Sequence, residues 1–114
     1  MTKRINSRRK GVVGELEFAH LLQGYGLDAR RGQQFKGGPD SPDVICPGLP
    51  DVHFEVKRAQ AGNLWTWIGQ SRAEAPAGHV PLVAWRRNGT DWLAILPMSD
   101  MLRILILREI NCGE

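Results

Sequence analysis

Residues 42–58 read PDVICPGLPDVHFEVKR, and this stretch decides the expected fold. In its second half, apolar Val, Phe and Val alternate with His53, Glu55 and Lys57. A period of two residues is that of a β-strand, so Glu55 and Lys57 share one face of a strand whose other face is buried. The shorter apolar run after the Pro-Asp pair predicts a preceding strand, and the PGLP sequence between the two runs predicts a turn.

The rest of the chain predicts helices and further short strands around this pair. Helical spacing of apolar residues indicates helices over residues 11–24 and 63–75, the second with Asn63 as its N-cap. Strands are expected over residues 27–31, 80–85 and 92–96, with Asn88-Gly89 as the hairpin turn between the last two. The glycine-rich residues 32–42 have loop composition. We therefore expect an α/β (α+β) domain with a mixed central β-sheet flanked by helices.

The last segment, residues 99–108, predicts a helix capped by Ser99. Its side chains are apolar nearly all round, so we expect it to be buried, either in its own domain or against another subunit. Residues 101–107 are accordingly a candidate dimer surface.

Length and composition bound the remaining possibilities. A chain of 114 residues with 42% hydrophobic content fits a single domain, expected over residues 11–114 and preceded by a basic N-terminal arm at residues 1–10. No stretch reads as a membrane helix or signal peptide, which predicts a soluble, cytoplasmic protein. Cys46 and Cys112 are expected to be buried or spare thiols, and the three histidines are too scattered for a recognisable zinc site.

The formal net charge is only +3, yet the basic residues are clustered. Five lie in the arm: Lys3, Arg4, Arg8, Arg9 and Lys10. Others follow at Arg30, Arg31, Lys36 and Arg58, beside Lys57. Such clusters attract phosphate backbones because binding releases counterions, so these residues are candidate DNA-binding positions. A solvated tail is the alternative for the arm.

Asp43, Glu55 and Lys57 could support phosphodiester hydrolysis. If the two predicted strands pair through the turn, Asp43 and Glu55 can face the same Mg²⁺ ion, a cation that proteins hold with one or two carboxylates. Lys57 would then stand beside the attacking water, where it can orient or deprotonate it. The alternative is that Glu55 and Lys57 form an exposed cross-strand charge pair.

The order Pro-Asp, turn, apolar-Glu-apolar-Lys resembles the PD-(D/E)xK nucleases. In addition, Arg9-Lys10-Gly11 and Gly14-Glu15-Leu16-Glu17 resemble the opening of archaeal and phage Holliday junction resolvases, and the similarity covers roughly residues 8–75. The resemblance implies a restriction-endonuclease-like core, Mg²⁺ as cofactor with Mn²⁺ able to substitute, and a homodimer that cuts four-way DNA junctions. It also implies residence in a bacterial or phage-infected cell.

The resemblance also implies roles for individual residues. Glu15, Asp43 and Glu55 would be metal ligands together with the carbonyl of Val56, and Lys57 the motif lysine. Gln70 matches a glutamine on the helix after the motif in some branches. Glu17 is an alternative to Glu15, and Asp40 and Asp51, which also follow prolines, compete with Asp43.

Three further residues have two interpretations each. Ser41 could donate a hydrogen bond to a phosphate or simply belong to a turn. Trp65 and Trp67 could stack on bases at a distorted junction or pack in the core, and core packing is favoured for Trp67.

Three functions are therefore compatible with the sequence. The first is a junction-resolving endonuclease. The second is another nuclease of the same superfamily, of restriction, nicking or repair type. The third is a DNA-binding module without catalytic activity, in which the basic residues do the binding.

Overall fold

The computed structural model describes residues 7–32 and 42–112 of the chain, and it is of the mixed α/β class that the sequence predicts. Within these two ranges, five strands form one mixed sheet that three helices flank. In chain order the elements are α1 (Ser7–Gly24), β1 (Arg30–Arg31), β2 (Val44–Ile45), β3 (Val52–Arg58), α2 (Leu64–Glu74), β4 (Val80–Arg86), β5 (Leu93–Ile95) and α3 (Met98–Cys112).

The strands follow one another across the sheet in the order β1-β2-β3-β4-β5. The first three are antiparallel neighbours, β3 and β4 are parallel, and β4 and β5 are antiparallel. The parallel pair needs a crossover connection, and α2 supplies it. Strand β3 therefore lies at the centre, with the strand that follows Asp43 on one side and β4 on the other.

Helix α1 covers one face of the sheet. Phe18 lies against Phe54 of β3 with ring centroids 5.2 Å apart, and the core around this contact includes Ala19, Val44 and Ala84. Cys46 is buried in the same core, as expected for a structural thiol.

The helix approaches β3 closely because residue 14 is a glycine. A Cβ at Gly14 would lie 2.7 Å from the Cβ of Arg58, a distance that side chains do not tolerate. This close approach brings the next residue, Glu15, down to the sheet.

Helix α2 covers the opposite face, which the alternation in the sequence did not predict to be buried. His53 and Glu55 point to this side and retain only 2% and 9% of their exposure. The predicted burial of the apolar face is confirmed, since Phe54 is buried, and the polar face is buried as well. The physical reason is that the β3-α2-β4 crossover places α2 directly over the polar side chains.

Several element boundaries differ from the prediction. Helix α1 begins at Ser7, so Arg8, Arg9 and Lys10 lie on its backbone and not in an arm that ends at residue 10. Strand β1 has two residues where five were expected. Asn63 does cap α2, since its Oδ1 accepts a hydrogen bond from Thr66 N at 3.1 Å, and Gly89 has the positive φ of 73° that the hairpin turn requires.

Helix α3 begins at Met98, so Ser99 lies inside the helix and does not cap it. The backbone carbonyl of Pro97 instead accepts hydrogen bonds from Asp100 N and Met101 N. The apolar side chains of α3 are exposed, with Leu102 at 49% and Leu107 at 56%. Burial of this helix within its own domain, one of the two expectations, is therefore wrong. Over the described ranges, no helix is long and apolar enough to cross a membrane.

Candidate active site and metal centre

The pairing of β2 with β3 joins the two halves of the Pro-Asp and Glu-x-Lys pattern. Asp43 N donates to the carbonyl of Phe54 at 2.9 Å, and the Asp43 carboxylate accepts a hydrogen bond from Val56 N at 2.7 Å. These two bonds bracket Glu55. They hold the Asp43 side chain next to the Glu55 carboxyl, where its charge contributes to the raised pKa of Glu55.

Glu55 is the centre of a group of acidic side chains. Burial, and then contact with the carboxyls of Glu74 and Asp43, raises the pKa of Glu55 to about 10. Desolvation penalises the charged carboxylate, and two neighbouring carboxylates repel its charge further. These surroundings therefore favour the protonated form of the Glu55 carboxyl.

His53 and Glu74 complete a second grouping around Glu55. One ligand atom from each of His53, Glu55 and Glu74 lies within 4.8 Å of the others, and His53 Nε2 is 3.1 Å from Glu55 Oε1. Nitrogen and carboxylate oxygen atoms at this spacing can hold a metal ion. The acidic and histidine residues that could do so thus include two that the sequence analysis did not select.

Both omissions have a physical explanation. His53 alternates with Glu55 on β3, so the strand pattern already placed the two on one face, but a histidine without a nearby sequence partner gives no metal signature. Glu74 lies one helical turn after Gln70 on α2, yet only the crossover brings it to β3. A search for acidic residues on the inward face of the helix that follows the motif could have identified Glu74.

Glu15 lies at the edge of this group. It is buried, and its Oε1 accepts a hydrogen bond from Arg31 Nε at 2.7 Å. Burial raises the pKa of Glu15, and the nearby Asp43 carboxylate adds to the rise, while Arg31 opposes it. Glu15 is therefore near Asp43 but is held by Arg31, a residue that the sequence analysis assigned to DNA binding.

Glu17, the alternative to Glu15, points elsewhere. Its Oε1 accepts from Arg58 Nε at 3.1 Å and from Arg86 Nη1 at 3.0 Å. These contacts place Glu17 in a separate ion-pair network. The guanidinium of Arg58, another candidate DNA-binding residue, is therefore paired with a carboxylate of its own chain.

The competing Pro-Asp aspartates are also separated by the structure. Asp51 is exposed in the turn before β3 and binds β4 only through its backbone carbonyl, which accepts from Val80 N at 2.7 Å. Asp40 lies outside the described residues. Of the two that are described, Asp43 is the one that contacts Glu55.

Lys57 is half-buried at the end of β3, two residues from Glu55. Its Nζ lies 6.0 Å from the ring centroid of Trp67 on α2, and Trp67 packs edge-on against Trp85 with centroids 5.5 Å apart. Trp67 thus packs against the sheet, as favoured from the sequence. Gln70 is exposed on α2, one turn after Trp67 and one turn before Glu74.

The remaining candidate residues are distributed over the surface. Arg9, Lys10 and Arg30 are exposed, and Trp65 is 83% exposed, so Trp65 is not a core residue. Trp65 lines an apolar groove of about 440 Å³ that runs from α2 to the start of α3. Lys3, Arg4, Lys36 and Ser41 lie outside the described residues, as does the side chain of Arg8.

Comparisons with models of known protein families, with curated proteins and with solved structures give no significant match for this chain. The interpretation of the site therefore depends on its own geometry.

Proposed function

We propose that this chain is a divalent-metal-dependent DNA endonuclease of the PD-(D/E)xK type. The observation that carries the proposal is the proximity of the Asp43 and Glu55 carboxyls, which β2 and β3 bring together. Lys57 follows Glu55 by two residues on the same face of β3. The mixed sheet between helices is compatible with such a core. Two carboxylates and a lysine on adjacent strands are the minimum that this chemistry needs.

In this proposal Asp43, Glu55 and the carbonyl of Val56 hold a Mg²⁺ ion, and Mn²⁺ can substitute. The bound ion lowers the pKa of a coordinated water and offsets negative charge on the phosphoryl oxygens. Because the surroundings favour the protonated form of Glu55, a cation held by this carboxylate would have to displace a proton. Metal affinity should therefore rise with pH.

The other side chains act on the water and the substrate. As an ammonium, Lys57 would orient the attacking water and stabilise negative charge in the transition state, whereas only its neutral amine could take the proton of that water. The contact with Trp67 restricts the motion of the lysine side chain. Glu15 would join the metal site only if Arg31 releases it, and a DNA phosphate is a suitable alternative partner for that guanidinium.

Within this class we propose a junction-resolving enzyme that acts as a homodimer. Resolution of a four-way junction needs two cuts, and one domain of this size offers one centre. Helix α3 supports pairing because it exposes large apolar side chains, among them those of Leu102, Ile104, Leu105, Ile106, Leu107 and Ile110. Surfaces of this kind mark contacts with other macromolecules.

The proposal is tested by comparing Asp43→Asn with Asp51→Asn. Cleavage of four-way junctions, flaps and linear duplex in Mg²⁺ is followed for both variants and the wild type. Asp43→Asn should lose at least about 10²-fold in rate, the usual effect of removing one transition-state contact. Binding to the junction in Ca²⁺ should stay within a few-fold of wild type. Asp51→Asn, the matched control in an exposed turn, should cleave normally.

The outcomes separate the alternatives. Cleavage by Asp43→Asn at the wild-type rate would overturn the site assignment. DNA binding without cleavage by the wild type in any divalent cation would identify a binding module. Cleavage of linear duplex in preference to junctions would support the endonuclease proposal and contradict the proposal of a junction-resolving enzyme.

A further inference from the structure

The polar face of β3 contributes to a group of possible metal ligands, of which the proposed Mg²⁺ site uses only Glu55. His53 and Glu55 come from β3 and Glu74 from the last turn of α2, and their ligand atoms lie within 4.8 Å of one another. The imidazole of His53 is almost fully buried. A buried imidazole beside two carboxyls, contributed by a strand and a helix that the crossover holds together, has limited freedom to rearrange.

In the described part of the chain, this cluster has no lysine or arginine partner of the kind that usually neutralises buried carboxyls. Elsewhere in the chain, Glu15 and Glu17 are paired with arginines. Within residues 7–32 and 42–112, no lysine or arginine forms an ion pair with Glu55 or Glu74. A cation bound between His53, Glu55 and Glu74 would supply the positive charge that arginines supply at Glu15 and Glu17.

A second and independent observation comes from Ser71. Its side chain is completely buried, and its Oγ has no hydrogen-bond partner among the described residues. Ser71 lies one turn before Glu74 on the same face of α2. Buried hydroxyl groups are normally satisfied, so the helical turn that carries Glu74 has an unused polar atom that a bound polar species, such as water, would satisfy.

We propose that His53, Glu55 and Glu74 form a binding site for a divalent transition-metal ion, adjacent to the Mg²⁺ site and sharing Glu55 with it. The imidazole nitrogen decides the class of metal. Mg²⁺ prefers oxygen ligands only, whereas Mn²⁺, Co²⁺ and Zn²⁺ accept imidazole together with carboxylates. Glu55, which contacts both Asp43 and Glu74, would bridge the two positions.

The site is tested by metal binding to the full chain in the absence of DNA. Co²⁺ is titrated and followed by its visible ligand-field absorption, and Mn²⁺ binding is followed by electron paramagnetic resonance. The wild type should bind one Co²⁺ ion per chain at this site, and a large excess of Mg²⁺ should not displace it. His53→Gln and Glu74→Gln should each weaken Co²⁺ binding by 10-fold or more.

The control variant is His20→Gln, which removes an exposed histidine of α1 and should bind Co²⁺ like the wild type. Circular dichroism establishes that each variant is folded. Glu74 is half-buried at the end of α2, so Glu74→Gln keeps the test decisive if replacement of the buried His53 prevents folding. Unchanged Co²⁺ affinity in a folded His53→Gln or Glu74→Gln variant would overturn the inference, as would complete displacement of Co²⁺ by equimolar Mg²⁺.

This result is distinguishable from the fate of the proposed endonuclease. Asp43→Asn should lose cleavage and keep Co²⁺ binding within about threefold, because Asp43 is not one of the three ligands. If the wild type binds Co²⁺ as described but cuts no DNA, the endonuclease proposal fails and the metal site stands. If Asp43→Asn abolishes cleavage while His53→Gln and Glu74→Gln bind Co²⁺ normally, the endonuclease stands and the transition-metal site fails.

Discussion

The backbone N–H of Val56 donates a hydrogen bond to the carboxylate of Asp43 at 2.7 Å, so the two strands of the motif are joined through the motif itself. The Asp43 side chain has two roles in this arrangement. Its carboxylate faces Glu55, and it also satisfies a backbone donor at the centre of the sheet. Substitutions at Asp43 should therefore separate structure from chemistry.

Asp43→Asn keeps an oxygen acceptor for Val56 N–H, whereas Asp43→Ala removes it. We expect Asp43→Ala to lower the free energy of unfolding by about 1–3 kcal/mol, the cost of an unsatisfied buried donor. Asp43→Asn should change it by less than about 1 kcal/mol. Urea unfolding in EDTA measures both. Equal stabilities for the two variants would show that the hydrogen bond does not support the β2–β3 pairing.

The stability of the chain should depend on pH through Glu55. Its pKa is about 10 in the folded chain and near 4.5 in the unfolded chain, so the folded state binds the proton more tightly. Its contribution to stability is therefore complete below pH 4.5 and declines as the pH rises toward 10. Glutamine has a similar shape and does not ionise.

Glu55→Gln should accordingly be as stable as the wild type near pH 5 and more stable at pH 9. A gain of about 0.5–2 kcal/mol is the usual range for a stabilising substitution. Thermal unfolding in EDTA at pH 5, 7 and 9 provides the measurement. The idea fails if the difference between the two proteins is constant over this range or decreases as the pH rises.

Gly14 sets the distance between α1 and β3. A methyl group at this position would meet the Cβ of Arg58 at 2.7 Å, whereas a methyl group at Gly11 has open space around it. Gly14→Ala should lower the free energy of unfolding by about 1–3 kcal/mol, as overpacking does. Gly11→Ala is the matched control, and it should be neutral or stabilise the helix by up to about 1 kcal/mol.

Chemical denaturation of the two alanine variants decides between these effects. If Gly14→Ala were as stable as Gly11→Ala, the helix could move away from the sheet at little cost. In that case the position of Glu15 beside Asp43 would not be fixed by packing.

Helix α3 should determine the oligomeric state. The double variant Leu102→Lys/Ile106→Lys adds two charges on one face of the helix, and we expect it to be monomeric where the wild type is a dimer. Glu109→Lys changes the net charge by the same amount without removing apolar surface, so it should remain dimeric. Analytical ultracentrifugation at micromolar concentration distinguishes these states. A monomeric wild type, with and without junction DNA, would rule out the homodimer.

The sequence determined the mixed α/β class and the positions of most elements, because these depend on local patterns. Alternation placed His53, Glu55 and Lys57 on one face of β3, Asn63 capped α2 as expected, and the Asn88-Gly89 turn formed the hairpin. Each of these signals depends on neighbours within a few residues. Boundaries were less accurate, as at Ser7, where no local signal opposed the extension of α1.

Only the tertiary structure decided which side chains meet Glu55. The β3-α2-β4 crossover brings Glu74 to His53 and buries the polar face of the strand, and no local pattern encodes that contact. The tertiary structure also shows that α3 does not pack into the core, so its apolar side chains are exposed. Residues 42–58 therefore specified the two strands and the Glu55 carboxyl at their centre. Packing over long sequence separations brought Glu74, a further possible metal ligand, to this carboxyl and raised the pKa of Glu55.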